Sequence, residues 1–519
     1  MVYSRITTLS RDISEKSAAF FDKPLIPFNF FLSIILLAYG YEIFGFHLTI
    51  DEELHADYIG AIAGWSSQGR WGMSILSAFM PSSVVPVVSP MFGIGLSTFS
   101  WWFILTNVFR IGRLEAVFAV GLAVSLPILT FTFTFTTLAY GIGIGNVCLA
   151  IFAFHLKKGK LRGLIISSFA GAFAVSIYQT FLFAIFAIYL FEVYRSEPIS
   201  LVRTSRSFVL SLLGVLSIYV SIDWLVRLAL NTNLEYVGGF VDIRGLLNHP
   251  VERFLSALMN VLDVYVLPAK KFGLHSPWLQ VAMLLSLLVC FRQALTSSWR
   301  VSFIRLGAIL GIILIPVFAD AVSSGGAPLR SGIYFPILTF LLVGFSIAAS
   351  SPVLRIAVIF SIGAAILGNS AINNRLFSAS DFAYQLDKTL AHDIFLEVSK
   401  FPSYTLANVQ PMKVVLVGSK AWPETKLMPK SETFGASFFE WDGGNRYRVA
   451  TFLRLSGLYV VAATPEESAK VTHTAASMPV WPNPGWVVLD QGMLILKFGD
   501  YTWAQELALC RSGVTSMCH

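Results

Sequence analysis

Between residues 27 and 372 the chain is a succession of long apolar runs separated by short polar breaks. The runs are continuous rather than alternating, so they predict helices and not the strands of a barrel. Several reach about 18 residues or more, enough to cross about 30 Å of hydrocarbon. The first covers residues 27–46. Residues 51–80 interrupt the pattern; they are amphipathic and predict one or two helices lying along a membrane surface. The next run ends at Val108. Two spans follow within 115–155 with a tight turn near Tyr140, and another pair turns near Tyr178 and Gln179 before returning to Arg195. Further spans are predicted at 208–230, 277–291, 301–318, 334–347 and 353–372, with a loop from Asn231 to about Ser276. The pattern predicts an α-helical polytopic membrane protein with about eleven transmembrane helices in residues 1–372.

From residue 373 the pattern changes. Charges become frequent, and short β-like runs occupy 414–417, 458–462, 486–489 and 493–497, with Asp490-Gln491-Gly492 as a hairpin turn between the last two. Helical periodicity covers 381–400 and 446–455. Residues 373–519 therefore predict a separate domain of mixed α and β structure.

Composition agrees with the pattern. Of 519 residues 55% are hydrophobic and 13% charged, and mean hydropathy is +0.69, more apolar surface than a soluble domain can hide. The net charge of +7 does not point to nucleic acid. The cations of the membrane part fall in short breaks (Arg110 and Arg113; Lys157, Lys158, Lys160 and Arg162; Arg195, Arg203 and Arg206; Arg292, Arg300 and Arg355), which is the positive-inside distribution. With that orientation the N-terminus is inside, and residues 51–53 and the C-terminal domain are outside. The polar stretch 1–23 and a first run without a cleavage site predict a retained helix. Cys148 and Cys290 lie in apolar runs as packing residues, while Cys510 and Cys518 would close a small loop if that end is extracytoplasmic. The eight histidines show no metal-ligand spacing, and no metal or other cofactor is called for, though a divalent metal stays open.

Chemistry-bearing residues gather on the outer side. Asp51, Glu52 and Glu53, with His55 and Asp57 beyond, follow the first span. They either mark topology only or supply a general base. After Trp65, the run Gln68-Gly69-Arg70-Trp71 offers a bidentate fork for phosphate and a stacking ring for sugar, or an interfacial anchor. Tyr178-Gln179 is a polar pair at a short outer turn. Asp223 and Arg227 share one helical face, either satisfying each other or lining a hydrated cavity. Lys270, Lys271 and Arg330, the last just ahead of Tyr334, are the outer cations nearest the membrane, suited to a lipid phosphate or to headgroups. Gly141-Ile142-Gly143-Ile144-Gly145 reads as close helix packing rather than a nucleotide loop.

In the order of these motifs the chain resembles the type II O-antigen glucosyltransferases of enteric bacteria and their phages, the serotype-converting enzymes. The resemblance spans most of the membrane part and reaches the hairpin of the C-terminal domain. It implies a GT-C-like fold in the inner membrane with a periplasmic active site and a periplasmic C-terminal domain. It also implies an inverting transfer of glucose from undecaprenyl-phosphate glucose to a sugar of the lipopolysaccharide O-antigen, dependent on a lipid-sugar synthase and a flippase. Asp51, Glu52 and Glu53 then correspond to the family's acidic pair; the resemblance does not say which of the three is the base, and Asp51 is expected in that role on position alone, as the one nearest the membrane. Gln68, Arg70, Trp71, Tyr178, Gln179, Lys270, Lys271, Arg330 and Tyr334 are expected at the donor phosphate and sugar. Two other readings share parts of this pattern: a transporter or flippase of a lipid-linked saccharide, and an O-antigen polymerase or ligase.

Overall fold

A computed structural model describes residues 21, 23, 25–55, 58–231, 241–265, 276–323, 328–401, 411–514 and 517–518. The chain divides into two compact units, Met1–Phe46 with Asp57–Arg375, and His47–Ala56 with Leu376–His519. Residues 47–56, with the acidic triplet, thus belong to the second unit although they fall early in the chain.

The first unit is a polytopic bundle of helices. Seven described helices are long and apolar enough to cross a membrane: Leu25–Phe44, Val88–Val108, Thr136–Lys158, Ser200–Leu230, Pro277–Leu295, Trp299–Ala321 and Pro352–Val398. An eighth span arises if Arg113–Ser125 and Pro127–Phe133, bent by 52°, count as one. Leu161–Ile177, Phe181–Arg195 and Tyr334–Ala349 are shorter apolar helices at positions where the pattern predicts spans.

The turn expected near Tyr140 lies elsewhere. Tyr140 sits inside the helix Thr136–Lys158, and the chain breaks between Leu126 and Phe135, where Pro127 lacks an N–H and starts a short 3-10 turn. The glycine run inside that helix packs closely, as its composition suggests. A Cβ on Gly143 would stand 2.7 Å from the Gly93 backbone, and one on Gly145 2.4 Å from the Phe181 ring. Asn146 fastens the same helix to Val88–Phe103 by accepting from Trp101 Nε1 at 2.8 Å and donating to Ser97 Oγ at 3.0 Å.

The second unit is a three-layer α/β domain. Strands β1 (Met412–Val417), β2 (Val460–Ala462), β3 (Val487–Asp490) and β4 (Met493–Lys497) form one sheet in the order β2-β1-β4-β3. β1 runs parallel to β2 and β4, and β3 returns antiparallel through Gln491 and Gly492. Both turn residues have positive φ, 50° and 76°, as a two-residue type I′ hairpin requires. The run Val414-Val415-Leu416-Val417 is apolar throughout because both faces are covered. Val414 and Leu416 pack with Leu390, Ile394, Phe439, Val449 and Phe452 on one side; Val415 and Val417 pack with Val471, Ala475 and Met478 on the other. Ile50 is buried in the first of these clusters with Leu48 against it, which is what holds residues 47–56 in this unit.

The change of composition at residue 373 lies close to the division between the two units but does not end a helix. One helix runs from Pro352 to Val398, joining the last predicted span to the helix predicted at 381–400. Within the second unit its buried Asp387 accepts from Trp422 Nε1 (2.6 Å), Ser437 Oγ (2.7 Å) and Phe438 N (2.8 Å), tying down the loop after β1.

Candidate active site

In the second unit two of the three clustered acids, Asp51 and Glu53, meet Asp442 on one arginine. Arg448 lies in helix Arg446–Leu455, which the side chain of Asn445 caps. Its Nη2 donates to Asp51 Oδ1 at 2.6 Å, Nη1 to Glu53 Oε1 at 2.5 Å and Nε to Asp442 Oδ2 at 2.7 Å. Three carboxylates on three edges of one guanidinium need its planar fork; a lysine ammonium could not match it.

The three acids are not equivalent. Glu52 is buried and turned into its own turn, where its Oε2 accepts from Thr49 N (3.2 Å) and Thr49 Oγ1 (2.9 Å). Glu53 has no exposed side-chain surface, and its Oε2 is buried without a hydrogen-bond partner among the described residues. Burial pushes its carboxyl up to about 7 against the pull of Arg448, with Asp51 adding to the rise. Burial opposes the charge on Arg448, but Glu53 and Asp51 outweigh it and hold the guanidinium above its usual range. Asp51 is the accessible member, its side chain 24% exposed. Its φ of 85° is a conformation that L residues adopt at a cost of about 1–2 kcal/mol, a local strain of the kind that collects at functional sites. His55 closes the turn through its N–H to Glu52 O. Asp57 lies outside the described residues.

In the first unit a second polar cluster assembles most of the other expected residues. Gly69, at φ +69°, turns the chain between helices Tyr58–Ser67 and Trp71–Ala78. Gln179 Nε2 donates to Gln68 O at 2.7 Å, and Arg70 Nε reaches Gln179 Oε1 at 3.4 Å. The Arg70 guanidinium lies 4.2 Å over the Tyr178 ring and 5.5 Å from that of Trp65. Trp71 is buried edge-on against Phe173. Helix Pro198–Leu230 joins from the other side: Tyr219 donates to Gly69 O at 2.9 Å, and Asp223 pairs with Arg227 at 2.9 Å. Asp223 Oδ1 is buried with no partner among the described residues.

Arg330 and Tyr334 stand on the 3-10 turn Leu329–Ser331 and the start of helix Tyr334–Ala349. Arg330 lies 5.6 Å over the Phe135 ring, and its carbonyl accepts from Thr132 Oγ1 at 3.0 Å. Tyr334 is buried against Phe183. Lys270 and Lys271 lie outside the described residues. Cys510 and Cys518 are joined in a disulfide, and Cys148 and Cys290 are free. No group of three or more His, Cys, Asp or Glu suited to a metal occurs among the described residues.

Sequence reasoning missed Arg448, Asp442 and Tyr219. The available signal for Arg448 was its place on the apolar side of helix 446–455, beside Val449 and four residues before Phe452, where a charge needs a partner.

The family model described as glucosyl transferase GtrII matches residues 40–347, more than half of the chain. The match takes in the acidic triplet, the Arg70 cluster and Arg330, and it ends before Arg448. No curated protein matches the sequence.

Proposed function

Given that the chain belongs to the GtrII glucosyl transferase family, we propose that it moves glucose from undecaprenyl-phosphate glucose to a sugar of the lipopolysaccharide O-antigen, inverting the anomeric centre. In this reading the inner membrane carries the protein, and the reaction takes place on its periplasmic face. The disulfide Cys510–Cys518 supports an oxidising compartment for the C-terminal end. Alkaline phosphatase fused after His519 is then active.

The observation that carries the proposal is the convergence of Asp51 and Glu53 on Arg448. An acceptor hydroxyl attacks the anomeric carbon, the bond from that carbon to the phosphate oxygen breaks, and the phosphate leaves with the electron pair. A carboxylate must take the hydroxyl proton as the new bond forms. Asp51 is assigned that role because it is the accessible acid of residues 51–53 and its geometry is fixed on two sides, by the Arg448 fork and by its own strained backbone. Glu53 and Arg448 are positioning residues, and Glu52 shapes the turn.

The departing phosphate gains negative charge, which fixed cations stabilise. Arg70 and Arg330 are assigned to the donor, with Lys270 and Lys271 as further candidates. Gln68, Trp71, Tyr178, Gln179 and Tyr334 are assigned to the surroundings of those cations. Arg70 is the strongest of these assignments: its partners among the described residues are a neutral amide and aromatic faces, so its charge is unspent.

The test compares O-antigen repeats from cells with and without the protein by mass and linkage analysis. One added glucose per repeat is expected, and it should vanish in Asp51→Asn with protein level unchanged. Identical repeats in the two strains would refute the reading.

A further inference from the structure

The second unit contains a cleft of about 170 Å³ whose walls come from the turn Trp441–Gly444, the start of helix Arg446–Leu455 and helix Trp503–Arg511. Asp442, Arg446, Tyr447, Tyr501 and Gln505 line it. Gln505 is part of its frame: its Oε1 accepts from Gly418 N and Thr502 N, and its Nε2 donates to the carbonyls of Gly418 and Gly444. The cleft is distinct from the acidic knot, but the two share Asp442. One oxygen of that carboxylate is held by Arg448, and the same side chain lines the cleft.

Two features describe an occupant. Tyr447 is 55% exposed and offers an aromatic face, with the Arg446 guanidinium 4.9 Å from its ring. The acidic and basic side chains lining the cleft are one carboxylate, Asp442, and one guanidinium, Arg446. A balanced pair beside an aromatic face suits a neutral polyol rather than a phosphate, which would call for surplus cations. The volume lies below the roughly 300 Å³ at which sites for drug-sized ligands begin, so the cleft takes a single ring rather than a whole oligosaccharide.

We propose that this cleft binds one neutral pyranose ring of the acceptor glycan, with Tyr447 as the stacking face and Asp442 and Arg446 as hydroxyl partners. The inference rests on the transferase reading above for the word acceptor, and on the cleft alone for the pyranose. Because Asp442 is common to cleft and knot, a ring held there lies one guanidinium away from Asp51. That arrangement would make the second unit the part of the enzyme that chooses the acceptor sugar.

The experiment uses the full-length protein in nanodiscs. Saturation-transfer NMR is run with methyl α-glucopyranoside, methyl α-galactopyranoside and methyl α-rhamnopyranoside, and with inorganic phosphate as competitor. At least one pyranoside should bind. Tyr447→Ala and Arg446→Ala should each weaken it fivefold or more, while Tyr459→Ala, an exposed tyrosine outside the cleft, should bind as wild type does. The proposal is overturned if none of the pyranosides binds, if both cleft variants bind as well as wild type, or if phosphate displaces the sugar. A parallel transfer assay separates the two readings. Active wild type with an unchanged acceptor KM in both cleft variants leaves the transferase reading standing and removes the cleft. Inactive wild type whose pyranoside binding is lost in Tyr447→Ala keeps the pyranose site and removes the transferase reading.

Discussion

Glu53→Gln should flatten the pH dependence of the second unit's stability. The wild-type carboxyl has no exposed side-chain surface, and burial lifts it from 4.5 to about 7. Between those two values the folded chain keeps a proton that the unfolded chain has released. The folded state therefore binds more protons in this window, and stability falls as pH rises through it. The stabilisation is fully present below about pH 4.5 and fully lost above about pH 7. A rise from 4.5 to about 7, at about 1.4 kcal/mol per unit, is on the order of 3 kcal/mol. Hydrogen exchange read by mass spectrometry on peptides covering 412–417 and 446–455, corrected for intrinsic rates, reports the opening of this unit. From pH 5 to pH 8 the wild-type protection factors should drop by roughly 100-fold more than those of Glu53→Gln. Parallel curves for the two proteins would refute the reasoning, because they would mean that Glu53 does not change its proton occupancy on folding.

Three further outcomes follow from the same geometry. Arg448→Met leaves a buried carboxylate without its cation and should cost about 3–5 kcal/mol at pH 8, and less at pH 6 where Glu53 takes up a proton; exchange of the 446–455 helix measures both. Gly69→Ala forces a side chain into a positive-φ position with the Tyr219 hydroxyl 3.0 Å away and Gln179 Nε2 at 3.2 Å, and should lower stability by about 1–2 kcal/mol in thermal unfolding. Arg330→Ala should lower kcat/KM for a defined lipid-phosphate glucose by about 10²-fold with unchanged yield of folded protein; undiminished turnover would reduce Arg330 to a headgroup contact.

Much of the fold was legible because its signals are local. The four apolar residues 414–417, the turn at Gln491-Gly492 and the periodicity of 446–455 each state their element within a few positions, and the strands, hairpin and helix formed there. The bend after Ser125 has a local signal in Pro127, but residues 130–137 continue an apolar stretch that reads as helix, and the turn was expected near Tyr140 instead. The helix Pro352–Val398 was divided at the composition change, although helical hydrogen bonding is indifferent to whether a residue is apolar or charged. At the candidate site, Gln68, Arg70 and Gln179 could be singled out because each is unusual in its own stretch, and the structure brings them together. Arg448 could not be paired, because its partners Asp51 and Glu53 lie 397 and 395 positions away and nothing local encodes that distance.

That distance also decides what sets the position of the proposed base. The family match supplies the carboxylates but ends at residue 347, so the cation that orders them comes from outside it. Residues 47–56 are fixed less by their own short 3-10 turn than by Ile50, buried among Phe439, Val449, Phe452 and Leu453. The helix that packs on Ile50 is the one that carries Arg448, so one rigid element sets both the apolar anchor and the ionic one. A substitution that shifts this helix, such as Phe452→Ala, would loosen the hold on Ile50 and turn the guanidinium away from Asp51 at once, with no catalytic group altered. Since a general base loses most of its effect with small displacements, the geometry of the acidic knot is a property of the second unit's core rather than of the sequence segment in which the acids are found.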